Sequence, residues 1–184
     1  MVIVFIGPPG SGKGTQAQIL KDTMLPNLHI LTVSSLLKNK SSDGSLLGDE
    51  IKQKMDNGDL IDDTIVISVL KEKVDNLHNE QILIDGFPRS SAQALALKDI
   101  FNEIDINVIN FTVSDHELLQ RIKKRSQEES RADDSVFEKR LTIYKKSHTE
   151  ILNALSKFYE VIDIDANNEI PLISQKILEK LAIN

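Results

Sequence analysis

The sequence contains no cysteine among its 184 residues, which excludes disulfide bonds and thiolate metal sites. It also has no excess of positive charge, because 22 Lys and Arg residues face 28 Asp and Glu residues, for a net charge of -6. Nothing in this balance points to nucleic acid or an anionic membrane as a partner. The missing cysteine favours a reducing compartment.

Long apolar runs are also missing. No stretch approaches the ~20 apolar residues that a membrane-spanning helix requires. The opening run, Val2–Ile6, is one strand long, lacks a basic segment before it and ends at Gly7 and Pro8, unlike a secretory signal. We find no repeat, low-complexity tract or interdomain linker. The sequence therefore predicts one soluble, cytoplasmic domain over residues 1–184, long enough to bury a core.

Apolar segments typical of buried strands alternate with helical patterns along the chain. This alternation predicts an α/β fold in which helices flank a mainly parallel sheet. The region 32–74 has a helical pattern throughout and is too long for a minimal crossover, so we expect a small insertion there. The predicted strands are Val2–Ile6, His29–Leu31, Ile82–Ile84, Val108–Val113 and Val161–Ile164.

Three later helices carry signals for where they begin. Ser114 with Glu117, and Ser135 with Glu138, have the spacing of a capping box before apolar residues. Pro171 suits the first turn of a final helix.

The segment between the first strand and the first helix reads GPPGSGKGT, residues 7–15, and has the spacing G-x-x-x-x-G-K. Glycines let several backbone N–H groups face one anion at a helix N-terminus, and Lys13 can reach the β- and γ-phosphates. The pattern predicts a nucleotide site; a glycine-rich turn with a solvated lysine is the alternative. The residues expected to contact ATP here are Gly10, Ser11, Gly12, Lys13, Gly14 and Thr15.

A second motif, IDGFPRSSAQ at residues 84–93, follows a predicted buried strand. Together with the phosphate loop it resembles the adenylate kinases of the nucleoside monophosphate kinase family, and the likeness extends over nearly the whole chain. It implies a P-loop fold with a five-stranded parallel sheet, an acceptor-binding insertion at 32–62 and a short lid at 126–136. It also implies a monomer that reversibly transfers a phosphoryl group from Mg-ATP to AMP, giving two ADP.

The same resemblance implies the acceptor site. Gln93 would contact the adenine edge with its amide, which both donates and accepts. Asp85 would orient magnesium-bound water, which matters because Gly14 replaces the Ser or Thr that often binds Mg²⁺. A structural ion pair is the alternative for Asp85 and Arg89. The implied AMP-binding residues are Val33, Lys38, Met55, Asp59, Leu60, Ile61, Gly86, Phe87, Pro88, Arg89, Gln93, Arg131 and Arg140; core packing is the alternative for Met55, Leu60 and Ile61.

Four more arginines complete the implied site. Arg121 and Arg125 share one helix face, Arg131 lies in SRADD, similar to the family's G-R-x-D-D, and Arg140 follows. Planar, permanently charged guanidinium groups suit the charge of a phosphoryl group in transfer. A solvated basic face is the alternative. The implied catalytic residues are Lys13, Arg89, Arg121, Arg125, Arg131 and Arg140, and Arg121, Arg125 and Asn168 are implied to contact ATP.

The lid segment between Arg125 and Arg131 is short, which resembles the family form without a zinc-binding lid. The four histidines show no ligand spacing, so we expect no structural zinc. The region 32–38 departs from the family's S-T-G-D-x-L-R, and Lys38 cannot make arginine's bidentate phosphate contact. This departure leaves two alternatives open, a CMP or UMP acceptor and a non-catalytic nucleotide sensor.

Overall fold

A computed structural model describes residues 1–57, 61–77, 80–101, 104–129 and 134–181, and does not describe the side chains of residues 122, 125–129, 134–137 and 140. The sheet is five-stranded and parallel throughout. Its strands are β1 (Val2–Ile6), β2 (Leu28–Thr32), β3 (Gln81–Asp85), β4 (Ile106–Thr112) and β5 (Val161–Asp165). Their order across the sheet is β2-β3-β1-β4-β5.

Helices connect the strands on both faces of the sheet. The predicted helical pattern from 32 to 74 is confirmed for the described part of that region, which forms three helices between β2 and β3. The helices are α1 (Lys13–Thr23), α2 (Val33–Lys40), α3 (Leu46–Asn57), α4 (Asp63–Asp75), α5 (Ser91–Phe101), α6 (Asp115–Glu129), α7 (Asp134–Leu155) and α8 (Ile170–Lys180). Within the described ranges, none of them has both the length and the apolar character needed to cross a bilayer.

The central strand β1 is buried along its whole length, which explains its continuous apolar sequence. Alternate residues feed two cores. Val4 and Ile84 belong to a core covered by α4, α5 and α7, while Ile3 and Leu83 belong to a second core covered by α1 and α8. The predicted α/β fold and its strands are confirmed. The largest boundary difference is in β4, which begins two residues before the predicted Val108.

The register brings two connecting loops together. β1 lies between β3 and β4, and Phe5 of β1 pairs with Asp85 of β3. Because parallel strands end at one edge of a sheet, the loop after β1 and the loop after β3 are neighbours there. This carboxyl edge is where the residues of the candidate site lie.

The predicted capping box at α6 is only half formed. Ser114 Oγ accepts the backbone N–H of Glu117 at 3.3 Å, as expected for a cap. The reciprocal bond is absent: the Glu117 carboxylate binds Arg121 Nε instead, at 2.8 Å, and the Ser114 N–H donates to Asn167 Oδ1 at 2.9 Å. The predicted helix start is confirmed, because α6 begins at Asp115, directly after Ser114. Only the second bond of the box is missing, since a permanently charged donor one turn along the helix competes for the Glu117 carboxylate.

Of the other two predicted helix starts, the one near Pro171 agrees with the structure and the one at Ser135 differs slightly. α7 already begins at Asp134, so Ser135 lies inside the first turn rather than ahead of it. In α8, Pro171 occupies the first turn as predicted, where its missing N–H removes no intrahelical bond.

Candidate active site

The phosphate loop ends directly on the N-terminus of α1. Gly12 is the N-cap in a left-handed conformation (φ 91°), and no described side chain caps this helix end. Gly10 also has a positive φ of 82°. First-turn N–H groups without an internal partner, together with the helix dipole, favour an anion at this point. The loop conformation therefore suits a phosphate group.

Lys13 bends back across this loop. Its Nζ donates to the carbonyl oxygens of Gly7 and Pro8, both at 2.9 Å, and to Ser11 Oγ at 3.2 Å. Burial lowers the pKa of Lys13 to about 8, and the nearby Asp85 carboxylate opposes this shift. The ammonium group is bound by oxygens of the phosphate loop, and phosphate oxygens can replace these as its partners.

Asp85 is the last residue of β3 and faces the start of α1. A Cβ placed on Gly14 would lie 3.8 Å from Asp85 Oδ2, so the glycine leaves the space before the carboxylate open. An oxygen ligand beside a phosphate loop fits a hard cation such as Mg²⁺ that arrives with a nucleotide and keeps part of its water. Among the described residues, no group of three or more His, Asp or Glu side chains is placed to hold a metal by itself.

Arg121 connects α6 to the phosphate loop. Its Nη1 lies 3.4 Å from the Ser11 carbonyl oxygen, and its Nη2 donates to the Ala166 carbonyl oxygen at 2.6 Å. Glu117 holds the third donor, Nε. The guanidinium plane is therefore fixed at the edge of the loop.

The turn after β5 forms the neighbouring wall. Asn168 Nδ2 lies 3.1 Å from both the carbonyl oxygen and Oδ2 of Asp165. The backbone N–H and side-chain amide of Asn167 hold the pKa of Asp165 below its usual range. Asn168 is thus held in the turn whose first residue, Ala166, contacts Arg121.

The loop after β3 turns sharply at Gly86, which has a φ of +85°. Arg89 folds over this turn, and its Nε donates to the Gly86 carbonyl oxygen at 2.9 Å. A Cβ on Gly86 would lie only 3.1 Å from Arg89 Nη2. Glycine at this position therefore permits both the turn and the close approach of the guanidinium group.

Gln93 is 4% exposed, although its side chain is polar. Its Oε1 accepts the Arg89 backbone N–H at 2.8 Å, and its Nε2 donates to Asp63 Oδ1 at 2.6 Å. Ser90 Oγ donates to the other carboxylate oxygen of Asp63 at 2.7 Å. The amide keeps one N–H and one lone pair for a further partner.

The adenylate kinase family model matches residues 5–161 of this chain. The chain belongs to the adenylate kinase family. An adenylate kinase of Synechococcus sp. (strain WH7803) is 34% identical over 185 residues, covering 98% of each chain. One from Xylella fastidiosa (strain 9a5c) is 34% identical over 98% of this chain and 99% of its own. One from Leptospira biflexa is 36% identical over 80% of this chain and 78% of its own.

Family membership confirms the predicted adenylate kinase resemblance and the prediction of a phosphoryl-transferring enzyme. The pyrimidine-acceptor alternative is not favoured, since each of these relatives is named adenylate kinase. The roles of individual residues stay predictions.

Lys13, Asp85, Arg89 and Arg121 all lie at the carboxyl edge of the sheet. Other predicted residues of the adenylate kinase site are placed differently. Val33 and Phe87 belong to the core, with side chains 4% and 1% exposed, respectively. Pro88 is also buried, and Ile61 packs against the core. Lys38 and Met55 are exposed. Asp59, Leu60 and Arg131, and the side chains of Arg125 and Arg140, lie outside the described residues.

Two partners of the site residues did not emerge from the sequence. Glu117 was interpreted only as a helix cap, although its spacing from Arg121 is that of an i,i+4 ion pair. Asp63 was not singled out in the sequence, because it lies 30 residues from Gln93 in the chain.

Proposed function

We propose that this member of the adenylate kinase family transfers the γ-phosphoryl group of Mg-ATP to AMP, reversibly, giving two ADP. An oxygen of the AMP phosphate attacks the γ-phosphorus, and the bond from that phosphorus to the β–γ bridging oxygen breaks, with ADP as the leaving group. The supporting observation is the adjacency of the loops after β1 and β3: Lys13 follows the first loop at the start of α1, and the second loop begins after Asp85 and contains Arg89. Two nucleotides bound at these loops meet at their phosphates.

The donor side is built on the phosphate loop. Backbone N–H groups at the start of α1 bind the phosphates of ATP, and Lys13 exchanges its carbonyl partners for β- and γ-phosphate oxygens. Mg²⁺ enters with ATP as part of the substrate, and Asp85 orients its water. Arg121 and Asn168 contact ATP from the wall formed by α6 and the turn after β5.

The acceptor side is built on the loop after β3. Arg89 binds the AMP phosphate and Gln93 contacts the adenine edge, with Lys38 giving a second cation near the phosphate. Arg125, Arg131 and Arg140 complete the cationic surroundings of the transferred group, where fixed positive charge stabilises the transition state. We also propose that residues 32–62 form the acceptor-binding insertion and residues 126–136 a short lid. The protein is proposed to be a monomer in the cytoplasm.

Initial rates test the reaction and its acceptor. Purified protein with Mg-ATP is given AMP, CMP, UMP or GMP, and nucleoside diphosphate formation is measured. We expect AMP to be the preferred acceptor. If the rate with CMP or UMP equals or exceeds the rate with AMP, the acceptor is a pyrimidine nucleotide and the proposed function is wrong. Tight binding of ATP and AMP without ADP formation would favour the alternative that the protein is a non-catalytic nucleotide sensor.

Two substitutions test the site itself. Lys13→Ala and Arg89→Ala should each lower turnover by several orders of magnitude, because each removes a charge beside the transferred phosphoryl group. Lys21→Ala is the matched control, since this lysine lies on the same helix as Lys13 but two turns away from the loop. Near-normal turnover in either site variant would contradict the assignment.

A further inference from the structure

The Asp63 carboxylate is shared between two residues that follow the β3 loop. Its Oδ1 accepts from Gln93 Nε2 at 2.6 Å, and its Oδ2 accepts from Ser90 Oγ at 2.7 Å. Ser90 Oγ in turn accepts the Gln93 backbone N–H at 3.1 Å. Asp63 is the first residue of α4 and Gln93 the third of α5, so a closed ring of hydrogen bonds joins the two helix starts.

This ring fixes the orientation of the Gln93 amide. Rotating the amide by half a turn would place Oε1 against the carboxylate of Asp63 and Nε2 against the backbone N–H of Arg89. Both hydrogen bonds would then be replaced by repulsive contacts. Gln93 is 4% exposed, so water has little access to compensate, and a buried polar group left without a partner is destabilising. One orientation is therefore strongly preferred.

A fixed amide discriminates between purines. Adenine presents an acceptor at N1 beside a donor at N6, whereas hypoxanthine presents a donor at N1 beside an acceptor at O6. An amide with one free N–H and one free lone pair in a fixed order matches only one of these two patterns. An amide that can rotate matches either pattern.

We propose that Asp63 is a positioning residue that sets acceptor-base selectivity by fixing the orientation of the Gln93 amide. This inference rests on the proposed function, because it assumes that Gln93 contacts the base of the acceptor nucleotide. Asp63 itself touches no nucleotide; it acts through Gln93.

The test compares AMP with IMP as acceptors, using Mg-ATP as donor and kcat/KM as the readout. In Asp63→Ala the preference for AMP over IMP should narrow by about tenfold, on the scale of one hydrogen bond. The change should lie in the KM for the acceptor, with the KM for ATP unchanged. Asp63→Asn should fall between wild type and Asp63→Ala, because its oxygen can still accept from Gln93 Nε2.

Asp62→Ala is the control. Asp62 is the neighbouring carboxylate, pairs with Lys54 and makes no described contact with Gln93, so its loss should leave the AMP-to-IMP ratio at the wild-type value. Thermal unfolding is followed for every variant. Should Asp63→Ala not fold, Asp63→Ser replaces it, because serine keeps a polar side chain at this position but is too short to reach Gln93.

The outcomes separate the inference from the proposed function. A wild-type protein that does not phosphorylate AMP refutes the proposed function. Suppose that wild type uses AMP and that Gln93→Ala lowers the preference for AMP over IMP. An unchanged AMP-to-IMP ratio in Asp63→Ala would then refute the inference and leave the proposed function standing. A wild-type ratio in Gln93→Ala also refutes the inference, since Gln93 would then not contact the base.

Discussion

Arg121 is tied to the turn after β5, where its Nη2 donates to the Ala166 carbonyl oxygen at 2.6 Å. The same guanidinium group contacts the phosphate loop at Ser11 and is oriented by Glu117, so one side chain joins three segments of the donor side. Few other side chains have the geometry for this, because a guanidinium has five donors in a rigid plane while an ammonium is a compact point charge.

We therefore predict that Arg121→Lys raises the KM for ATP by about tenfold although it keeps the charge, and that Arg121→Ala raises it further. The KM for AMP should change much less. Initial rates with ATP varied at saturating AMP provide the measurement. Lys124→Ala, a charge removal at an exposed position of the same helix, serves as control. An unchanged KM for ATP in Arg121→Lys would show that the charge alone suffices.

Activity should depend on pH through Lys13. Burial lowers the pKa of this lysine to about 8 in the free protein, so its positive charge is lost as the pH rises past that value. We predict that kcat/KM for ATP falls above about pH 8, because this quantity reports the free enzyme. The kcat profile should break at higher pH, since bound phosphates stabilise the ammonium form. Superimposable profiles for kcat and kcat/KM would contradict this.

The same pKa has a consequence for stability. Because the folded-state pKa lies below the usual lysine pKa of 10.5, the unfolded chain binds more protons than the folded chain between about pH 8 and 10.5. The free energy of unfolding contributed by Lys13 should therefore rise with pH across this window. Urea unfolding of wild type and Lys13→Met, compared at pH 7 and pH 10, measures the difference. A difference that is constant with pH would mean that Lys13 is not desolvated.

Gly86→Ala should raise the KM for AMP several-fold. An alanine at φ +85° is strained by about 1–2 kcal/mol, and its Cβ would lie 3.1 Å from Arg89 Nη2, so the guanidinium group must shift. Gly44→Ala is a closely matched control, because Gly44 has a φ of +76° but nothing within 4 Å of the added Cβ. Both variants should lose similar stability, and only Gly86→Ala should change acceptor binding. Equal KM values for AMP in the two would argue against a role for the position of Arg89.

Ser174→Ala should destabilise the protein by about 1–2 kcal/mol. Ser174 Oγ donates to Gln16 Oε1 at 2.6 Å, and Gln16 is 2% exposed, so the truncation leaves a buried acceptor without this donor. Gln16 Nε2 also donates to the Ile170 carbonyl oxygen, which ties the phosphate-loop helix to α8. Ser156→Ala, which removes an exposed hydroxyl bonded to the last turn of α7, should stay within about 0.5 kcal/mol of wild type in urea unfolding.

Local signals in the sequence predicted most of the fold. The unbroken apolar run at Val2–Ile6 predicted β1 with its observed bounds, because a strand buried on both faces has no polar position. The spacing of Gly7, Gly12 and Lys13 likewise predicted a loop that ends on a helix N-terminus. The signal at Ser114 predicted where α6 begins, but it did not predict the partner of the Glu117 carboxylate, which binds Arg121 instead.

The sequence by itself determined the strand and helix types, the phosphate loop and the family, because these depend on periodicity, glycine spacing and short motifs along the chain. Only the tertiary structure decided that Gln93 is held by Asp63, that Arg121 reaches Ala166, and that Val33 and Phe87 face the core. These contacts join residues far apart in the chain, and their geometry depends on strand order and helix packing. A local sequence pattern cannot predict the distance between side chains on separate strands and helices.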